Sequence, residues 1–165
     1  MTSDKSETLV TTYLEMRSRE QLRRARADGS LVVREQIERD WRFNREMYFR
    51  VGEQWRWIDK RPWTDVQWKD YSEAEQLRTF AAYRADSLVG YYELHQSDEG
   101  VEIAYFGLLP EFIGRGLGGA LLTSAIETAW SMSPDRVWVH TCNRDHPQAL
   151  ANYQARGMTI YKVED

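Results

Sequence analysis

Four glycines fall within six residues, Gly114-Arg115-Gly116-Leu117-Gly118-Gly119, between an apolar stretch over residues 101–109 and an amphipathic one. In the amphipathic stretch Leu117, Leu121, Ala125 and Ala129 form one stripe, with Leu122, Ile126 and Trp130 beside it. That spacing belongs to a helix with a buried face. The first N–H groups of such a helix lack intrahelical partners and carry partial positive charge. Glycines let a phosphate approach them closely, so a strand, a glycine run and a helix together predict an anion site, and Arg115 adds positive charge nearby. A turn that merely joins two elements is the plainer alternative, but four glycines exceed what a turn requires.

Gly114, Gly116 and Gly119 also spell the dinucleotide fingerprint G-x-G-x-x-G. Two features argue against it. The run lies two thirds of the way along the chain, leaving too little after it for a doubly wound sheet. The acidic residue expected about 20 positions later is missing, since that region reads Val137-Trp138-Val139-His140. No Gly-Lys-Ser/Thr follows, which excludes a P-loop.

Along the chain, residues 8–16 are expected to form a strand. Ser18 and Gln21 make a capping-box pattern for a helix that Asp28-Gly29 would stop. From Arg34, apolar residues at Ile37, Trp41 and Tyr48, with Val33 and Val51 near the same face, predict an amphipathic helix to about Gly52. Residues 54–71 show no period and hold Pro62, so loop and short turns are expected. Residues 77–83 and 88–95 predict an antiparallel hairpin, and residues 101–109 a further strand. After the helix, Pro134-Asp135 breaks the chain and residues 136–141 read as a strand. Pro147 and Gly157 mark the start and stop of a second helix, and residues 158–163 a last strand. This order argues for one layered α/β domain over residues 1–165, with helices packed on a central sheet.

A length of 165 residues suits one domain with a proper core. The formal net charge of −4 does not suggest a nucleic-acid binder, although residues 17–26 are locally basic. The single Cys142 excludes an internal disulfide and fits a reducing compartment. No apolar run reaches the ~18 residues of a membrane span, and Met1 to Glu7 lacks the apolar core of a signal peptide. These features predict a cytoplasmic protein.

The run from Phe106 to Leu122, FGLLPEFIGRGLGGALL, resembles the acyl-CoA-binding core of the GNAT (GCN5-related N-acetyltransferase) superfamily. A second run from Ala149 to Met158, ALANYQARGM, resembles that family's other signature, an Ala four residues before a Tyr and a Gly four after it. The likeness is good over residues 77–165; over residues 1–76 it extends only to the order of elements. It implies a GNAT-like layered fold whose central, mostly antiparallel sheet is flanked by helices. Two parallel strands splay at the acyl-CoA cleft, one ending in a bulge just before Pro110. By the same resemblance, the backbone of Phe106, Gly107 and Leu108 pairs with pantetheine, and the Leu108 N–H polarises the thioester carbonyl. Gly114, Arg115, Gly116, Leu117, Gly118 and Gly119 hold the pyrophosphate. Ile113 departs from the family pattern, standing where an Arg or Gln is usual, and Arg115 is the candidate to replace that contact. The cosubstrate implied is acetyl-CoA, with no metal.

Acetyl transfer needs a neutral amine, although a lysine-like amine has a pKa near ~10.4. It also needs donors for the developing oxyanion and an acid for the departing thiolate. The family match makes Tyr153 the acid, the alternative being a core Tyr on an amphipathic helix. The base is open between His140, whose ordinary pKa near ~6.5 suits the task, and Glu102 on the preceding strand. A structural His, a merely solvated Glu and a water chain are the alternatives. His146 stands where relatives place an Asn near the cofactor, and it is equally suited to cap a helix. Nothing near Cys142 argues for a reactive thiolate. His140, Cys142 and His146 lack the carboxylate support of a metal site.

In this family the segment before the hairpin forms the acceptor wall. Here it carries Trp55, Trp57, Trp63 and Trp68 with Asp59 and Asp65. Aromatic faces with carboxylates suit a cation or an aromatic amine, and an aromatic mini-core under a long loop is the alternative. The expected acceptor is a small-molecule amine. A protein N-terminus or lysine is the rival acceptor, and a non-catalytic acyl-CoA sensor the rival of another class. A homodimer is compatible with all three.

Overall fold

The computed structural model describes residues 8–26, 29–55 and 57–165. The segment Met1 to Glu7, read above as lacking a leader, lies outside the described residues, as does Asp28 of the expected helix stop. Seven strands form one sheet: β1 (Thr11–Met16), β2 (Leu31–Glu35), β3 (Leu77–Arg84), β4 (Ser87–Ser97), β5 (Gly100–Leu108), β6 (Val137–Cys142) and β7 (Thr159–Glu164). Their spatial order is β2-β3-β4-β5-β6-β1-β7. Every pairing is antiparallel except that of β5 with β6. The helices are α1 (Trp41–Gly52), α2 (Asp65–Ser72), α3 (Leu117–Ser131) and α4 (Ala149–Ala155).

The core has two layers because the sheet is covered on both faces. Successive side chains on a strand point to opposite faces, and β4 shows it: Tyr91 and Tyr92 are both fully buried. The Tyr92 hydroxyl lies 3.0 Å from Ser124 and 3.1 Å from Thr128 on α3. The Tyr91 ring meets Phe43 of α1 edge-on. On the α3 side the expected stripe is buried, from Leu117 through Leu121, Leu122, Ala125 and Ile126 to Ala129. On the other side Met47 and Val51 of α1 pack with Tyr91 and Leu109.

Three expectations need correction. The Ser18/Gln21 capping box forms, but it caps only a single 3-10 turn, Arg19–Gln21. The chain then runs extended against its neighbours: the Arg23 N–H donates to the Arg156 carbonyl and the Ala25 N–H to Thr123 Oγ1. Tertiary hydrogen bonds have displaced the local helical preference. The helix expected from Arg34 begins only at Trp41, because residues 31–35 pair with β3 as an edge strand. In the stretch expected to be loop, Thr64 and Gln67 close a capping box and start α2, which buries Trp68 and Ser72. Two smaller shifts concern β1, which begins at Thr11, and α4, which begins at Ala149, after a turn through Pro147.

Candidate active site

The site follows from an incomplete strand pairing. The β5–β6 ladder holds only Val101 with Val137 and Glu102 with Trp138. The register between β4 and β5 slips at Ala104, where one extra residue intervenes between the Glu93–Tyr105 and Leu94–Ile103 pairs. Such a bulge bends its strand, and beyond it β5 leaves β6. The bulge therefore lies well before Pro110 rather than immediately ahead of it. The Leu109 N–H bonds back to the Val89 carbonyl on β4. Strand alternation then turns the Leu108 N–H toward the gap.

A cavity of about 1040 Å³ fills this gap. Its walls include Phe106, Gly107 and Leu108 of β5, Val139 and His140 of β6, the glycine loop, and Tyr153 with Asn152 of α4. Helix α3 begins behind Gly116, whose φ of +77° is one that glycine adopts without strain, and no side chain caps it. A Cβ added at Gly114 or Gly116 would meet nothing within 4 Å. The uncapped N–H groups and the open cradle in front of them fit an anionic diphosphate. Asn152 Nδ2 donates to the Gly118 carbonyl at 3.2 Å and ties the loop to α4. Two residues of the run do not line the cavity: Leu117 is fully buried in the core, and the exposed Arg115 lies over the Phe112 ring.

Register brings Glu102 and His140 together. Glu102 pairs with Trp138, and His140 lies two residues further along on the same face. The His140 Nδ1 is 3.2 Å from a Glu102 carboxylate oxygen. The two groups weighed above as rival bases are thus one imidazole–carboxylate pair. The hydrogen bond to Glu102 raises the His140 pKa above the ordinary imidazole value. Burial opposes this, and the charges of Glu102, Asp145 and Asp59 add to it. Tyr153 is buried in the wall of the same cavity, its ring 6.3 Å from that of Phe106. Burial, with a smaller effect of Asp145, pushes its phenol pKa up and keeps the proton on it. Burial also raises the Cys142 thiol, so this wall residue stays protonated rather than nucleophilic. His146 lines the cavity but is not the N-cap of α4, which is Gln148: its Nδ1 accepts from the Gln148 N–H at 3.0 Å, and its ring lies 4.7 Å from Trp55. Among the described residues no three His, Cys, Asp or Glu side chains gather as a metal site. No helix there is long and apolar enough to cross a membrane.

The tryptophan segment divides in two. Trp55 and Trp57 line the cavity. Trp68 is core, and Trp63 packs against it and Tyr71. Of the four tryptophans weighed for an external cation, Trp63 instead joins Tyr71 and Tyr105 around the chain's own Lys60, whose Nζ lies 4.6–4.7 Å from the three rings. Asp59 beside it accepts from the phenols of Tyr48 and Tyr105 at 2.9 and 2.8 Å. Burial alone would raise its pKa, but Lys60 and the two phenols outweigh this and lower it. Asp59, expected at the acceptor wall, lines the cavity, as do Lys60, Asp145 and Asn152, which no sequence pattern singles out as site residues.

The sequence and fold can be set beside known proteins. The chain is 28% identical over 136 residues to a mycothiol acetyltransferase of Corynebacterium aurimucosum, covering 77% of this chain and 44% of that protein. It thus spans less than half the length of that curated relative. A GCN5-related N-acetyltransferase from Sphaerobacter thermophilus shares the fold with a TM-score of 0.71 at 13% identity, over 94% of this chain and 49% of that one. An aminoglycoside acetyltransferase from an uncultured soil metagenomic sample, in complex with trehalose, does so with a TM-score of 0.63 at 14% identity, over 78% and 88% of the two chains. The model of the acetyltransferase (GNAT) family matches residues 33–158, and with the bulged, splayed β5–β6 pair and the glycine loop at the start of α3 this places the chain in the GNAT acetyltransferase family.

Proposed function

We propose that this chain transfers the acetyl group of acetyl-CoA to a primary amine of a small molecule by direct attack on the thioester. The observation that carries this reading is the single cavity lined together by the glycine loop, Leu108, Tyr153 and the Glu102–His140 pair. Acetyl-CoA supplies the activated acyl group. The amides at the start of α3 hold its diphosphate, and the edge of Phe106, Gly107 and Leu108 aligns the arm. The Leu108 N–H stabilises negative charge as it grows on the carbonyl oxygen. Neutral His140, oriented by Glu102, accepts the proton that the amine sheds. Tyr153 keeps its proton at Oη and delivers it to the leaving sulfur.

The acceptor is read as a small molecule because Trp55 and Trp57 narrow the cavity beside the thioester edge of β5. The relatives named above include a mycothiol acetyltransferase and an aminoglycoside acetyltransferase. Incubating the protein with acetyl-CoA and separate amine and peptide panels, while following thiol release, tests the reading. Acetyl-CoA-dependent turnover of amines but not peptides is expected. Turnover confined to peptides would move the acceptor to a protein. Acetyl-CoA binding without turnover would make the chain a sensor.

A further inference from the structure

Trp57 spans the gap that the diverging strands leave. Its ring lies 5.0 Å from Tyr105 of β5, and its Nε1 donates at 3.0 Å to Oδ1 of Asp145, beyond the end of β6. The other Asp145 oxygen accepts from Thr141 Oγ1 at 2.5 Å and from the Cys142 N–H at 3.1 Å. One carboxylate thereby joins the tryptophan segment to the last two residues of the strand that carries His140. The indole is fixed from its own side as well. The Trp57 N–H bonds to the Gly52 carbonyl, and a Cβ at Gly52 would sit 2.6 Å from its ring carbons. The bridge crosses the part of the gap where no backbone ladder joins the two strands.

We propose that Asp145 is a positioning residue that, through Trp57, locks the acceptor wall to the catalytic strand and so sets where the amine stands relative to His140. The inference rests on the acyl-transfer reading of the same cavity, and it names the element that determines acceptor alignment. The cradle at the start of α3 lies outside the bridge, so acetyl-CoA affinity is not its concern. An Asn at position 145 cannot replace the carboxylate, because it has one accepting oxygen and must turn its amide N–H groups toward a donor.

The test is a cycle of Trp57→Phe, Asp145→Asn and the double variant in the full chain. Acceptor and acetyl-CoA kinetics are measured with an amine that the wild type turns over, alongside acetyl-CoA Kd by calorimetry. Each single variant is expected to lower kcat/KM for the amine about tenfold, with the double close to the worse single, because both remove one contact. Acetyl-CoA Kd should stay within about twofold, as befits a remote grip. Gly52→Ala, which displaces the indole without altering either partner, should give the same pattern. Multiplicative losses in the double variant, or an equal loss of acetyl-CoA affinity, would overturn the proposal. The wild type offers a measurement independent of variant folding and of turnover: the Trp57 indole proton should exchange slowly with solvent by NMR. Fast exchange at that site would also sink the bridge. Absence of turnover with every acceptor would count against the acyl-transfer reading instead, and leaves the exchange result to decide the bridge.

Discussion

At the scale of single residues, the cavity sets two protonation states against each other. Tyr153 is held as a neutral phenol by burial, and His140 is pulled toward its charged form by Glu102. Tyr153→Phe keeps the ring against Phe106 and removes only the proton donor, so kcat should fall about 100-fold while acetyl-CoA Kd is retained. Equal turnover of the two proteins would remove the phenol from the mechanism. For His140 the sign follows from the form required. A base works when neutral, so kcat rises with pH through a pKa that lies above the ordinary ~6.5. The groups facing the ring are Glu102 from β5, Tyr13 from β1, Trp138 on its own strand, and the more distant charges of Asp145 and Asp59. Since the Glu102 hydrogen bond is the largest cause, Glu102→Gln should move the acidic limb to lower pH and slow the reaction. An unmoved limb in the pH profile of kcat would show that the pair does not act as the base. Tyr153, His140 and Glu102 could each be singled out as candidates in sequence. Their pairing was not, since it depends on which residues of two distant strands fall in register.

At the scale of elements, the loop before α3 and the splay of β5 from β6 together make the cleft. Gly116→Asp puts a carboxylate where the helix start faces open space and forces a side chain onto a φ of +77°. Acetyl-CoA Kd should rise about tenfold or more by calorimetry, since an anion there opposes the diphosphate. An unchanged Kd would refute the assignment of this loop. The element could be read in advance because its signal is local: four glycines, then a 3.6-residue apolar stripe. The segment after Ser18 carried a comparable local signal and yet formed only one helical turn. There the backbone found better partners in Arg156 and Thr123. Residues 31–35 misled for a related reason: a short apolar run fits either period, and β3 supplied the ladder that decided it.

At the scale of the whole molecule, the first strand is not peripheral. β1 lies between β6 and β7, pairing antiparallel with both, and its ladder is what joins β7 to the sheet. Leu14 and Met16 of β1 are almost completely buried. Leu14→Ala should therefore cost about 2–5 kcal/mol in urea unfolding, as loss of a buried side chain with incomplete collapse does. A cost under about 1 kcal/mol would mean that β1 is not integral to the core. The amino-acid sequence by itself determined the order of strands and helices from residue 77 onward, the glycine loop ahead of α3, and the family to which both signatures belong. Each depends on residues near one another in the chain. Tertiary structure alone decided that β1 sits inside the sheet, that Glu102 meets His140, that Lys60 fills the aromatic cage, and that Asp145 reaches Trp57. Glu102 and His140, Lys60 and Tyr105, and Asp145 and Trp57 are tens of positions apart, and their geometry comes from strand register and from the gap opened by one bulged residue at Ala104, which local periodicity does not encode.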